Sequence, residues 1–231
     1  LKYLNTAVFE HFPSVLMIAE ESTAWPMVTK PVDWGGLGFN FKWNMGWMND
    51  TLSYIKADPY FRHYKHNLMT FSMAYAFSEN YILPISHDEV VYGKGSLINK
   101  MPGDYNLKFA GVRNYLTYMF THPGKKLLFM GCELGQWAEW NWEREIDWVL
   151  AEFPQHQGLQ RFVKEINWLY RTVPALHEIE NSWDGFEWLV ADDADANVLI
   201  YERRDKAGNR ALVVLNFAPC DWHGYRMPVN P

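Results

Sequence analysis

The 231-residue chain carries only two cysteines, Cys132 and Cys220, with no Cys-x-x-Cys pair and no zinc-like spacing. A disulfide framework is thereby ruled out, no metal or other cofactor site is expected, and free thiols in a reducing compartment are the default. No apolar run approaches the ~18 residues a spanning helix needs, and no signal-peptide pattern opens the chain. A cytoplasmic protein with no membrane partner is expected. A basic excess is also missing: 21 Lys and Arg stand scattered against 27 Asp and Glu, for a net charge of −6. Such a surface does not track phosphates, which excludes nucleic acid as a partner. There is no internal repeat and no low-complexity tract. An initiator Met is absent too: Leu1 to Asn5 read as the middle of a helix, and Tyr225 to Pro228 as an unfinished strand. A fragment is expected.

What the chain does have is apolar and aromatic mass. Hydrophobic residues make up 48%, with 12 Trp, 13 Tyr and 14 Phe, enough for a sizeable core and for flat faces that suit sugar rings as well as cores. Four segments share one design, an apolar or β-rich run ending in polar groups: Val15 to Glu21, Gly38 to Asn44, Tyr81 to Asp88, and Lys126 to Glu133. The first, third and fourth are nearly continuous hydrophobic runs, as in strands covered on both faces of a parallel sheet. Helical spacing recurs over His66 to Phe77, Leu107 to Phe120 and Leu159 to Leu176, and Asn49 or Asp50 is a candidate cap for a helix through Tyr54 and Ile55. The segment Ser22 to Leu37, with Pro26, Pro31, Gly35 and Gly36, has room for at most a short helix. After about Asn181 the pattern becomes alternation broken by turn residues, which predicts an antiparallel meander.

In parallel α/β architectures ligands bind at the carboxyl ends of strands, which singles out Glu20-Glu21, His87-Asp88-Glu89 and Glu133. Carboxylates from two strands are what glycosyl transfer uses, one to move a proton and one to meet positive charge at the anomeric carbon. The same acids could equally be solvated strand ends or helix caps. Tyr92-Gly93-Lys94-Gly95-Ser96 lacks the adjacent Gly-Lys-Ser/Thr of a phosphate loop and is expected to be a flexible loop over the site. His63 and His66 have no third metal ligand nearby, and Asp192 to Asn197 lacks the glycine and distant glutamate of a calcium loop.

The stretches Ile18-Ala19-Glu20-Glu21-Ser22-Thr23, Ser86-His87-Asp88-Glu89-Val90-Val91 and Phe129-Met130-Gly131-Cys132-Glu133-Leu134-Gly135-Gln136 resemble, in order, the later part of the bacterial glycogen (1,4-α-glucan) branching enzymes of the α-amylase superfamily. Phe41 to Trp47 and Glu139-Trp140-Asn141 fit the same pattern. The resemblance implies an α/β fold: the C-terminal half of a (β/α)8 TIM barrel over residues 1–180, followed by a truncated antiparallel β-sandwich domain over 181–231. It implies Glu20 as general acid/base, Asp88 as transition-state stabiliser and His87 as a binder of the donor sugar, with an α-1,4-glucan such as glycogen or amylose as substrate. The family's nucleophilic aspartate, two residues after an arginine, finds no counterpart before Glu20, so the isolated chain is expected to be inactive. Another α-glucan hydrolase or transglycosylase of the superfamily, or a non-catalytic glucan-binding fragment, remain open alternatives.

Overall fold

The computed structural model describes residues 1–229. Helix α1 (Lys2–His11) leads into strand β1 (Ile18–Ala19), and β2 (Phe41–Trp43), β3 (Tyr81–Ile85) and β4 (Lys125–Leu128) follow. The four lie side by side in chain order and are all parallel, with Ile18 beside Phe41, Lys42 beside Tyr81 and Ile82 beside Lys125. Helix α2 (Met45–Ile55) and the short α3 (Asn67–Thr70) link β2 to β3, α4 (Tyr105–Thr121) links β3 to β4, and α5 (Pro154–Thr172) follows β4. A second sheet is antiparallel: β5 (Phe186–Val190), β6 (Val198–Arg204) and β7 (Arg210–Asn216), with β6 in the middle.

The strands are shorter than the apolar runs that predict them, because polar side chains take over the backbone where the runs end. Asn44 closes β2 by accepting the Trp47 N–H at 2.9 Å, so the helix begins at Met45 and its cap is neither Asn49 nor Asp50. Ser86 ends β3 in the same manner. The helix expected over His66 to Phe77 splits into α3 and a tighter 3-10 turn, Phe71–Ala74, although Met69 and Met73 are buried as the spacing requires. The extended tail expected at Tyr225 to Pro228 joins no ladder; its side chains anchor it instead, with Tyr225 Oη donating to Asp193 at 2.6 Å. Between Ser22 and Leu37 the only helical piece is the 3-10 turn Val32–Trp34.

The core is aromatic. Trp47 is wholly buried and stacks on Tyr115 and Tyr118 of α4, with ring centroids 5.9 and 6.3 Å away. From Tyr118 the cluster runs on to Tyr201 and Phe217, so α4 is shared between the two sheets. Arg203 of β6 locks that junction. Its guanidinium, wholly buried, donates to the carbonyls of Gly185 at 3.0 Å, Thr121 at 2.6 Å and Ile179 at 3.2 Å. Among the described residues no helix is long and apolar enough to cross a membrane.

Removing Arg203 strands two buried carbonyls, of Gly185 and Thr121, and the part-buried one of Ile179 at once. Arg203→Ala is expected to cost about 3 kcal/mol or more of unfolding free energy, read by urea denaturation, since each orphaned polar group costs roughly 1–3 kcal/mol. A loss below about 1 kcal/mol would show that water satisfies those carbonyls and that the junction does not depend on the arginine.

Candidate active site

Glu20 leaves β1 directly after Ala19, level with Trp43 of β2, while His87 and Asp88 leave β3 two and three residues beyond Ile85. All three therefore emerge on the carboxyl edge of the parallel sheet. Glu20 is exposed and, among the described residues, makes no hydrogen bond or ion pair. Its neighbour Glu21 is committed. One oxygen pairs with the ammonium of Lys42 and the other accepts from the Thr23 N–H at 3.1 Å and hydroxyl at 2.7 Å. Alternation explains the split: Glu21 shares the buried face of Ala19 and Lys42, and Glu20 shares the open face of Ile18. Burial pushes the Glu21 carboxyl up, but Lys42 and Thr23 outweigh it and hold the group below the usual carboxylate range.

On β3 a similar division holds. Ser86 and Glu89 form a capping box: the Glu89 carboxylate accepts the Ser86 N–H at 2.6 Å, and the Ser86 hydroxyl accepts the Asp88 N–H at 3.2 Å. Glu89 is consumed by this and buried. His87 and Asp88 are left on the rim, each about half exposed, with Nε2 of the one 3.5 Å from an oxygen of the other. The His87 ring also meets Trp140 edge-on at 5.5 Å and lies 6.0 Å from Phe129. Glu133, the third candidate, lies part-exposed in the turn after β4 and joins neither group.

The loop Tyr92 to Ser96 differs from expectation, for it is tied at both sides. Glu139 accepts the N–H of Gly93 at 3.0 Å and of Gly95 at 2.7 Å, and buried Lys100 donates to the carbonyls of Lys94 at 2.6 Å and Gly95 at 2.5 Å. Both glycines have positive φ, 80° and 77°, a conformation that lets the backbone curl around the carboxylate. Burial, aided by Lys56, pushes the Lys100 ammonium down to about 8 against the pull of Cys132, Glu89 and Glu139. The only trace of this clamp in the sequence is a Gly-x-Gly pair and a distant glutamate.

The remaining candidates resolve as structure. His63 points its Nδ1 at the Tyr60 carbonyl and His66 its Nε2 at that of Ala191, and among the described residues no three His, Cys, Asp or Glu converge as metal ligands. Asp192 to Asn197 forms the β5–β6 turn, in which Asp193 accepts the Ala196 N–H.

This architecture, a parallel sheet with polar carboxyl ends followed by an antiparallel one, recurs in solved structures. A cyclomaltodextrinase superposes with a TM-score of 0.64 over 93% of this chain and 34% of its own, at 19% identity. A pullulanase from Paenibacillus barengoltzii gives 0.68 over 94% and 39%, at 13% identity. These likenesses establish the fold alone. Residues 188–231 match the family described as "Alpha amylase, C-terminal all-beta domain". In sequence the kinship is closer. The chain is a relative of the 1,4-alpha-glucan branching enzymes GlgB: 57% identical to that of Pseudomonas putida over 99% of this chain and 31% of that protein, and 56% identical to that of Aquifex aeolicus over 99% and 36%. It spans about a third of the length of these relatives.

The Glu21–Lys42 pair generates a pH prediction. A carboxyl held low in the native state adds stability above the ordinary carboxylate range, and that stability is lost as pH falls through the lowered native value. In Lys42→Met only burial and Thr23 act on Glu21, so an NMR titration of its carboxyl is expected to shift upward and the acid-side loss of stability attached to this group to shrink. An unmoved titration would mean that Lys42 does not set the charge of Glu21.

Proposed function

We propose that this chain is part of a 1,4-α-glucan branching enzyme, in which residues 1–180 supply the second half of a (β/α)8 barrel and residues 181–231 begin its C-terminal β domain. The observation that carries the reading is the 57% identity along 99% of the chain. The geometry is consistent with it: of the acids at the sheet edge, Glu20 and Asp88 are unburdened by structural bonds to backbone, whereas Glu21 and Glu89 are not.

The reaction assigned is a retaining double displacement on an α-1,4-glucan. A nucleophilic aspartate, contributed by the part of the protein outside these residues, attacks the anomeric carbon while Glu20 protonates the departing O4. The result is a covalent glycosyl-enzyme. Glu20, now a base, takes the proton from the 6-hydroxyl of an acceptor chain, whose oxygen displaces the aspartate to form the α-1,6 bond. Asp88 stabilises the cationic transition states, and His87 holds the donor sugar. The 231 residues alone are then inactive.

The test is amylose treated with the complete protein, followed by iodine staining, reducing-end assay and proton NMR of α-1,6 linkages. Falling stain with new α-1,6 signals and constant reducing ends is expected, whereas a steady rise in reducing ends would replace branching by hydrolysis. Glu20→Gln is expected to reduce transfer by at least ~10³-fold, within the span that general acid–base groups contribute. Glu21→Gln should retain much of it. Equal loss in both variants would remove Glu20 from its assigned role, and turnover by the isolated chain would refute the missing nucleophile.

A further inference from the structure

Lys42 of β2 brackets Glu20 from both sides. Its backbone lies beside Ala19, the residue before Glu20, at the last rung of the β1–β2 ladder. Its side chain pairs with the carboxylate of Glu21, the residue after Glu20, and donates to the Thr23 carbonyl at 2.9 Å. Thr23 is itself bonded to Glu21 through its N–H and hydroxyl, and its Oγ1 accepts the Trp25 N–H at 3.2 Å. The chain that leaves β1 is thus gathered on one ammonium, whose side chain is only 6% exposed.

Such a tie bears on direction. The strand is two residues long and its ladder ends at Ala19, so β1 alone does not fix how Glu20 leaves the sheet. Successive residues of extended chain point to opposite faces, and holding Ala19 and Glu21 on the buried face turns Glu20 to the open one. A proton passes only within hydrogen-bond reach, and a displacement of about 1 Å in a positioned group costs on the order of 10²-fold in rate. A tie that only stabilised the fold would leave the reaction of folded molecules unchanged, whereas one that aims Glu20 governs the proton it delivers.

Resting on the branching-enzyme reading, we propose that Lys42 is the positioning residue of the acid/base Glu20, acting through Glu21 and Thr23 to aim its carboxyl at the departing O4. The test compares two donors that differ in their need for that proton. The O4 of amylose departs as an alkoxide unless it is protonated; a maltooligosyl α-fluoride instead releases fluoride, a weak base that leaves with the C1–F electron pair as the aspartate oxygen bonds to C1. In the complete protein, Lys42→Met is expected to lower kcat on amylose about 10²-fold at nearly constant KM, a smaller loss than that of Glu20→Gln, and to leave the first-turnover burst of fluoride near its unmodified rate. Lys42→Arg, which keeps a cation and its donors, should recover part of the amylose rate. Glu21→Ala cuts the same tie from its other end and should show the same split, so the outcome does not depend on the folding of one variant. An unchanged amylose rate in these variants, a loss carried by KM alone, or an equal loss of the fluoride burst would overturn the assignment. Absence of branching by the unmodified protein would instead sink the reading on which it rests.

Discussion

Parallel strands that rise in step deliver their carboxyl ends to one edge, and the candidate chemistry of this chain depends on that alignment. Glu20 and Asp88 are far apart in sequence, and each follows the carboxyl end of a strand, β1 and β3, that its register with β2 holds in one parallel sheet. The register is easy to spoil. β1 is two residues long, and a slip by one would exchange Glu20 and Glu21 between faces. Two ties oppose the slip: Asn40 bonds Met17 through both its side chain and its N–H, and Lys42 pairs with Glu21. A buried ammonium stripped of its carboxylate costs roughly 3–5 kcal/mol, whereas each ladder bond is worth about 1 kcal/mol. Leaving that ammonium without its carboxylate is therefore the main cost of a slip.

Several other carboxylates are spent on backbone. Glu79 accepts the N–H groups of Val28 and Thr29 at 2.8 Å each and so holds the segment after β1, while Glu89 closes β3 and Glu139 gathers the Tyr92 loop. Each satisfies donors that would otherwise be orphaned in irregular chain, which is where a scaffold built on short strands is weakest. Glu20 and Asp88 have no such duty, and neither has Glu133 in the turn after β4. Asking which acids the backbone already occupies narrows the candidates at this edge without choosing among those left.

That question could not be answered from the sequence, although much else could. The order of strands and helices was legible because buried runs such as Leu127-Leu128 and the helical spacing of Phe109, Val112 and Leu116 record which faces meet the core. Element ends were not legible. They are set by Asn44, Ser86 and Asp104 competing for backbone donors, and a polar residue looks the same in sequence whether it caps or merely follows. The pairing of Glu139 with Gly93 and Gly95 spans more than forty residues and leaves no periodic trace. The choice of Glu20 over Glu21 came from family resemblance; the structure adds a physical ground, since Lys42 and Thr23 already hold Glu21.

Transfer of a sugar to another hydroxyl, on the proposed reading, must outrun attack by water at ~55 M, so the centre has to be dry when the glycosyl-enzyme forms. Here Glu20 is exposed, Asp88 is half exposed, and Ile18 on the Glu20 face is 42% exposed at an unpaired sheet edge. These residues can move a proton and stabilise charge, but they do not by themselves exclude water. Relatives three times as long have the chain to wall off that face. On the proposed reading, a glycosyl-enzyme at this edge favours the acceptor over water only once the Glu20 face is covered by further chain.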